Sequence, residues 1–406
     1  MSRVTGLKFL LCAGVAGYAL PFSPIQAAEP TGEWHSYRGP TRDSVVPEAF
    51  SWPTGGPKQL WKAALGDGYS SMTVGDGKVY ALGNDGAKDT LFCFELDTGK
   101  TVWKQSYVCE TPKSFPGPRA TPTLDGDKVY AFSRKGLLSC YDAAKGTPVW
   151  QLNVAQETNS ASPKREFSGS PLIIGNVMYL AIGSNGCAVD KNSGKIVWKS
   201  GPETSGYATP VAYDAGGGKQ ALAIFSSTAL QGVDLETGKA LWSHPWTTNH
   251  GVNAVDPIFI GNKAFISSAY DYGSALIQIE GNQVKPLWKS TALQCHISNP
   301  VLVKGFLYAF DGNQNTPGAL KCVELETGKV RWAKEPFMGT LLTDGSKLLI
   351  LNAKGELILA EADSSAYKEL NRTQILGGQC WTLPVFSNGK LLARNAAGDL
   401  VCVGMK

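Results

Sequence analysis

Four histidines, His35, His244, His250 and His296, are the first candidates for chemistry in this 406-residue chain. Cys295 adjoins His296, and Asp256 follows His250 at short distance. Zn²⁺ takes such His and Cys donors at tetrahedral spacing. No tight pair of the C-x-x-C or H-x-x-x-H kind accompanies them, so no metal site is expected. The serines of "GYSSM" (68–72) lack the G-x-S-x-G context of a nucleophile held between strand and helix. No catalytic residue is therefore assigned. The formal net charge is +4, with Lys and Arg scattered along the chain. That distribution argues against nucleic acid or an anionic membrane surface as a partner.

What must position any polar residues is an internal repeat. The segments "ELDTGKTVW", "DAAKGTPVW", "VDKNSGKIVW", "VDLETGKALW" and "VELETGKVRW" each read as a strand, a glycine turn and a second strand ending in Trp. Adding weaker copies, the anchors are Trp61, Trp103, Trp150, Trp198, Trp242, Trp288 and Trp332. Ten residues before the Trp stands a small side chain (Cys93, Cys140, Ala188, Gly232, Cys322), leaving room for an indole expected from a neighbouring sheet. These tryptophans are assigned a blade-docking role.

A second series, Pro122, Pro171, Pro210, Pro257, Pro300 and Pro384, opens each unit, with Met72 and Thr340 in the same place in two more. Eight openings with four strands apiece predict an all-β, eight-bladed propeller of antiparallel blades over 58–406. The last copy stops after its third strand, and the orphan strand "KQLWKAAL" (58–65) is expected to complete it and close the ring. In the seventh unit Tyr367 is read as the replacement for Trp. Seven blades remain the alternative if 340–372 is an insertion.

The repeat register places one set of loops around a central funnel, the usual ligand site on a ring of sheets. The funnel-rim candidates are Tyr69, Arg119, Tyr207, His250, Asn253, Asp256, Asp271, His296, Asn313, Trp381 and Arg394. Mixed charge with aromatics favours a small polar or peptide-like ligand. Cys93, Cys140, Cys322 and Cys402 read as small buried hydrophobes. Cys109, Cys295 and Cys380 could pair or stay as reactive thiols.

With its "LETGKALW"-type units, "WHSYRGPTRDS" (34–44) and "LGDGYSS" (65–71), the chain resembles the pyrroloquinoline-quinone (PQQ)-binding-like propeller proteins. That superfamily joins quinoprotein alcohol dehydrogenases to BamB-like envelope scaffolds. The resemblance implies the fold and two functions. The first is an exported, non-catalytic propeller that binds a protein, a cell-envelope polymer or a small polar ligand at its funnel face, acting as a monomer. The alternative is a dehydrogenase using PQQ with Ca²⁺. Such enzymes carry adjacent cysteines over the quinone, which this sequence lacks, and no haem-attaching C-x-x-C-H is present.

At the N-terminus, Arg3 and Lys8 precede an apolar run from Phe9 to Leu20, followed by Gln26-Ala27-Ala28. This pattern predicts a signal peptide over 1–27, then an extension over 28–57, and a periplasmic or secreted protein. Leu11 before Cys12 is unsuited to lipoprotein processing. No later stretch is long and apolar enough to span a bilayer.

Overall fold

The computed structural model describes residues 32–313, 316 and 318–406; the expected signal peptide lies outside them. Among the described residues the only helix is the short Val154–Thr158, and no helix is long and apolar enough to cross a membrane. The rest is strand and turn, arranged as eight four-stranded antiparallel sheets. Blades 1 to 7 each use consecutive strands: 73–108, 123–153, 172–199, 211–245, 258–290, 301–334 and 339–374. Blade 8 combines 385–404 with the N-terminal strand Lys58–Ala64. Trp61 lies opposite Cys402 there, so the ring closes on its own first strand. A closed ring leaves no long free edge on which another chain could pair. The eight-bladed reading holds, and 339–374 is a blade rather than an insertion.

The register explains the small residue before each Trp, and corrects its expected partner. Cys93 pairs with Trp103, Cys140 with Trp150, Ala188 with Trp198 and Gly232 with Trp242, each across two adjacent strands of one blade. A Cβ on Gly232 would stand 2.2 Å from Nε1 of Trp242. The indole above the small residue therefore belongs to the same blade. A β-bulge follows each of these pairs, which re-aims the indole outward across the seam.

The far end of each indole meets the next blade. Nε1 of Trp61 donates to the Leu96 carbonyl at 2.8 Å, Trp103 to Ala143 at 2.9 Å, and Trp198 to Leu235 at 2.8 Å. The glycine turn receives the ring: a Cβ on Gly146 would lie 2.5 Å from the Trp103 indole, and its φ is +72°. Glycine is required there twice, once for the left-handed backbone and once for the missing Cβ. Burial of each indole contributes roughly 1.5–3 kcal/mol.

Three seams depart from the rule. Trp332 donates to the Asp363 carbonyl at 2.8 Å, in a turn that has no glycine. Trp242 donates instead to the Tyr213 hydroxyl of its own blade, at 2.7 Å. In blade 7 the register sets Asn371 opposite Leu359, so Asn371 and not Tyr367 occupies the Trp position. Tyr367 lies earlier, in the turn, where its ring packs on Trp332 at 5.8 Å and on Phe337 at 6.1 Å. The irregular turn "DSSAYK" is longer than its counterparts, and that length displaced the expected alignment.

Residues 34–50 form a strap that seals the far end of the axis. Trp34 pairs with Val74 of blade 1, and Leu124 of blade 2 donates to the His35 carbonyl at 2.8 Å. Arg38 reaches the Pro300 carbonyl of blade 6 at 3.0 Å, and Val46 donates to Thr343 of blade 7 at 2.7 Å. The Phe50 ring meets Phe386 of blade 8 at 5.2 Å, edge on. Arg38, Arg42 and Ser44 all have positive φ, a strain these buried contacts hold in place.

Candidate functional site

Just inside the funnel mouth, the residue before each opening proline forms a throat. The Thr121 N–H donates to the Ser170 hydroxyl at 2.9 Å, and the Ser170 N–H to Thr209 at 3.2 Å. The Thr209 N–H then donates to the Asp256 carboxylate at 2.8 Å, and the Asp256 N–H to the Asn299 amide oxygen at 2.7 Å. Blades 2 to 6 are thus laced by one polar chain at equivalent positions. A proline next in sequence has no N–H, so the preceding residue supplies the inter-blade bond.

Asp256 is the one acid in this chain of Ser, Thr and Asn. Arg38 of the strap faces it, Nη1 to Oδ2 at 3.7 Å, with both side chains buried. Burial pushes the Asp256 carboxyl up to about 6, against the opposing pull of Arg38 and the Thr209 N–H. Tyr37 lies beside the pair, its hydroxyl 3.0 Å from the Asn299 amide nitrogen, and closes the floor.

Above this floor opens a cavity of about 220 Å³, near the small end of ligand sites. Its walls hold Tyr69, Arg119, Tyr207, His296 and Trp381, with Asp256 at the base, as the register placed them. Tyr69, Phe115 and Trp381 form an aromatic panel, with ring centroids 6.1–6.3 Å apart and Phe115 stacked on Trp381. Arg119 donates to the Phe115 carbonyl at 2.9 Å and to the Arg165 carbonyl at 2.6 Å. Burial lowers its pKa to about 10, which leaves it charged at neutral pH. The Arg165 guanidinium lies 5.3 Å above the Phe115 ring. Burial lowers His296 to about 4, so it is neutral at pH 7, and its Nε2 lies 3.1 Å from the Tyr270 hydroxyl.

The other five expected rim residues do not line the cavity. Asn253 is fully buried, and its amide bonds the Ser226 and Trp246 carbonyls at 2.7 and 3.1 Å, tying loops together. Arg394 is likewise buried, bonding the Gly66 carbonyl at 2.9 Å across the seam between blades 8 and 1. The same register that aimed other loops inward turned these two into struts. His250 is exposed, edge-on to Tyr270 at 5.4 Å. Asp271 is exposed at the rim, where its N–H donates to the Gln294 side chain at 2.7 Å. The Asn313 N–H donates to the Thr316 hydroxyl at 3.1 Å, away from the cavity.

Phe115, Arg165, Tyr270, Ile297 and Tyr37 line the cavity and were missed. The first four sit in loops of unequal length, where no repeat fixes the alignment, and Tyr37 comes from the strap. Phe115 and Tyr270 have φ of +54° and +60°. Bulky residues in that region cost about 1–3 kcal/mol each, a strain that clusters at functional sites. The throat had a legible signal, a polar residue before five of the six opening prolines, the exception being Leu383 before Pro384.

Cys109, Cys295 and Cys380 are unpaired and buried, like the other described cysteines. Burial pushes the Cys295 thiol up to about 12 and that of Cys380 to about 11. Neither a disulfide nor a reactive thiol is formed, and packing inside the loops is their role.

The cavity does not fit PQQ with Ca²⁺. Ca²⁺ takes six to eight oxygen ligands, several of them carboxylate. Among the described residues the only carboxylate in the lining is Asp256, already engaged by Arg38 and the Thr209 N–H. The nearby Glu166 is turned onto Arg134 and Lys135.

Comparison with known proteins agrees with this geometry. The chain is 24% identical over 295 residues to the outer membrane protein assembly factor BamB of Yersinia pestis, spanning 69% of this chain and 72% of that one. Its likeness to the Escherichia coli K12 counterpart is 23% over 377 residues, 86% and 88% of the two chains. The crystal structure of BamB from Moraxella catarrhalis superposes with a TM-score of 0.63 at 18% identity, covering 86% of this chain and 98% of that one. A europium-containing methanol dehydrogenase superposes at 0.69 and 13% identity, over 93% and 99%. At such identities the structures establish the fold alone. The family model described as outer membrane protein assembly factor BamB matches residues 42–151 and 87–334, together more than half of the sequence, and the chain belongs to that family of PQQ-like propellers.

Proposed function

We propose that this protein is an exported, non-catalytic propeller that takes part in outer membrane protein assembly by binding a protein partner at its funnel face. Membership of the BamB family over 42–334 carries the reading. The site chemistry supports it. The lone lining carboxylate is tied to an arginine, and neutral His296 is bonded to the Tyr270 hydroxyl, whose pKa burial raises. The mouth instead offers aromatic rings and arginines, residue types enriched where proteins bind one another.

Site-specific crosslinking tests the reading. A photo-reactive residue at Lys164 or Asp271, both exposed at the mouth, is expected to capture outer-membrane assembly proteins in intact cell envelopes. The same residue at Leu241, exposed on the outer rim, is expected to capture none. Capture at the rim alone would overturn the choice of face. Reduction of a dye by the purified chain with PQQ, Ca²⁺ and an alcohol would overturn the non-catalytic reading.

A further inference from the structure

The funnel is unbalanced in charge and graded in polarity. Arg119, from the loop between blades 1 and 2, and Arg165, from the loop between blades 2 and 3, stand together, and among the described lining residues no uncommitted carboxylate accompanies them. Arg119 lines the cavity and spends one N–H of Nη1 and one of Nη2 on two carbonyls, which leaves three of its five donors for a ligand. On the opposite side the cavity continues into a small annexe between Ile297, Phe310, Met338 and Trp381. Ile297 is 37% exposed, a large aliphatic side chain left open at the cavity wall. The Ser298 hydroxyl lines the annexe, buried and with no hydrogen-bond partner. The aromatic panel of Tyr69, Phe115 and Trp381 spans the distance between the two sides.

We propose that the funnel binds a carboxylate that carries an apolar body, with the anion on Arg119 and Arg165 and the body across the aromatic panel toward the Ile297–Met338 annexe. The anion is recognised by guanidinium groups, which suit carboxylates because their donors form a planar fork. The body is recognised by ring faces and by the annexe, where it removes apolar surface from water. The floor made by the strap fixes the depth, since Tyr37 and the Arg38–Asp256 pair stop anything from passing along the axis. No metal and no bond-making step is involved. The same chemistry is offered by a free organic acid and by the last residue of a peptide chain. The inference rests on reading the funnel as a binding site rather than a catalytic one.

Calorimetric titration of the purified chain at pH 7.5 and low salt tests it, followed also by tryptophan fluorescence from Trp381. The probes are N-acetyl-phenylalanine, its amide N-acetyl-phenylalaninamide, 3-phenylpropionate and acetate. N-acetyl-phenylalanine is expected to bind, with the amide and acetate each weaker by about tenfold or more, the scale of one charge-assisted hydrogen bond or of a buried ring. Arg119→Gln is expected to weaken the acid by about tenfold or more. Arg165→Gln, at an exposed side chain that leaves the fold intact, is expected to weaken it several-fold. If 3-phenylpropionate matches N-acetyl-phenylalanine, the source is a free acid. If N-acetyl-phenylalanine is much tighter, the source is a chain end. Equal binding of acid and amide, or no signal from either acid at about 10 mM, overturns the proposal. So does affinity for PQQ without affinity for the simple acids. None of these failures touches the crosslinking pattern, so the two readings fail separately.

Discussion

The rim of the propeller and its axis are built by opposite means. At the rim one device recurs: an indole crosses a bulge, donates to a carbonyl of the next blade and covers a glycine. At the axis no device recurs, except for the throat of pre-proline residues. Its members are Thr121, Ser170, Thr209 and Asn299, and then Asp256, which needs Arg38 opposite it. Repetition makes a wall that any ligand would find identical on all sides. Departures from repetition give the wall a direction, with cations on one side and an apolar annexe on the other. Fold is written in what the blades share, and function in what they do not.

The sharpest way to break that contrast is to exchange the consequences. Trp198→Ala removes a buried indole and its bond to Leu235, and the cavity it leaves should cost about 3–5 kcal/mol. Arg165→Gln, at the mouth, should change stability by no more than about 0.5 kcal/mol while altering binding. Urea midpoints of the two variants measure both. Comparable losses would mean that the rim does not carry the fold's stability.

The next effect is electrostatic and belongs to the axis. Burial raises Asp256 to about 6 in the folded chain, against 3.8 when free. A raised carboxyl disfavours its charged form in the folded state. Its stabilising contribution is therefore complete below about pH 4 and is lost as the pH climbs through 6, by up to about 3 kcal/mol. Asp256→Asn has no such dependence. The stability difference between the parent and this variant should move against the parent between pH 4 and 7. A flat difference would show that Arg38 fully offsets the burial.

How much of this could be read beforehand follows from the same contrast. The tryptophan period, the proline openings and the orphan strand 58–65 specify eight blades and their closure, because each is a local pattern repeated many times. Six of eleven expected rim residues reach the cavity, since blade register places loop ends. Asn253 and Arg394 failed because register says which loop a residue is on, not whether it turns toward the axis or back into a seam. The strap was invisible. Its contacts join residue 38 to residues 256 and 300, a separation at which no spacing rule operates.

The smallest expected effect concerns the seam that has no indole at its docking position. Blade 7 has Asn371 at the docking position, and this is a consequence of how the ring closes. An indole there would need the hairpin between the third and outer strands of blade 8. That hairpin does not exist, because the outer strand is Lys58–Ala64 and the third ends near Gly404. The turn that receives the ring at other seams has no counterpart there. Blade 4 shows the same logic in milder form. Blade 5 has a short Gly281–Asn282 turn, and Trp242 bonds within its own blade. Asn371→Trp should therefore change the urea midpoint by the equivalent of only about 0.5 kcal/mol or less, as for a surface site. A gain near 2 kcal/mol, the scale of a docked indole, would mean that the strand termini of blade 8 form a receiving surface after all. Closure by the first strand would then carry no penalty at the neighbouring seam, and the absence of Trp from blade 7 would need another cause.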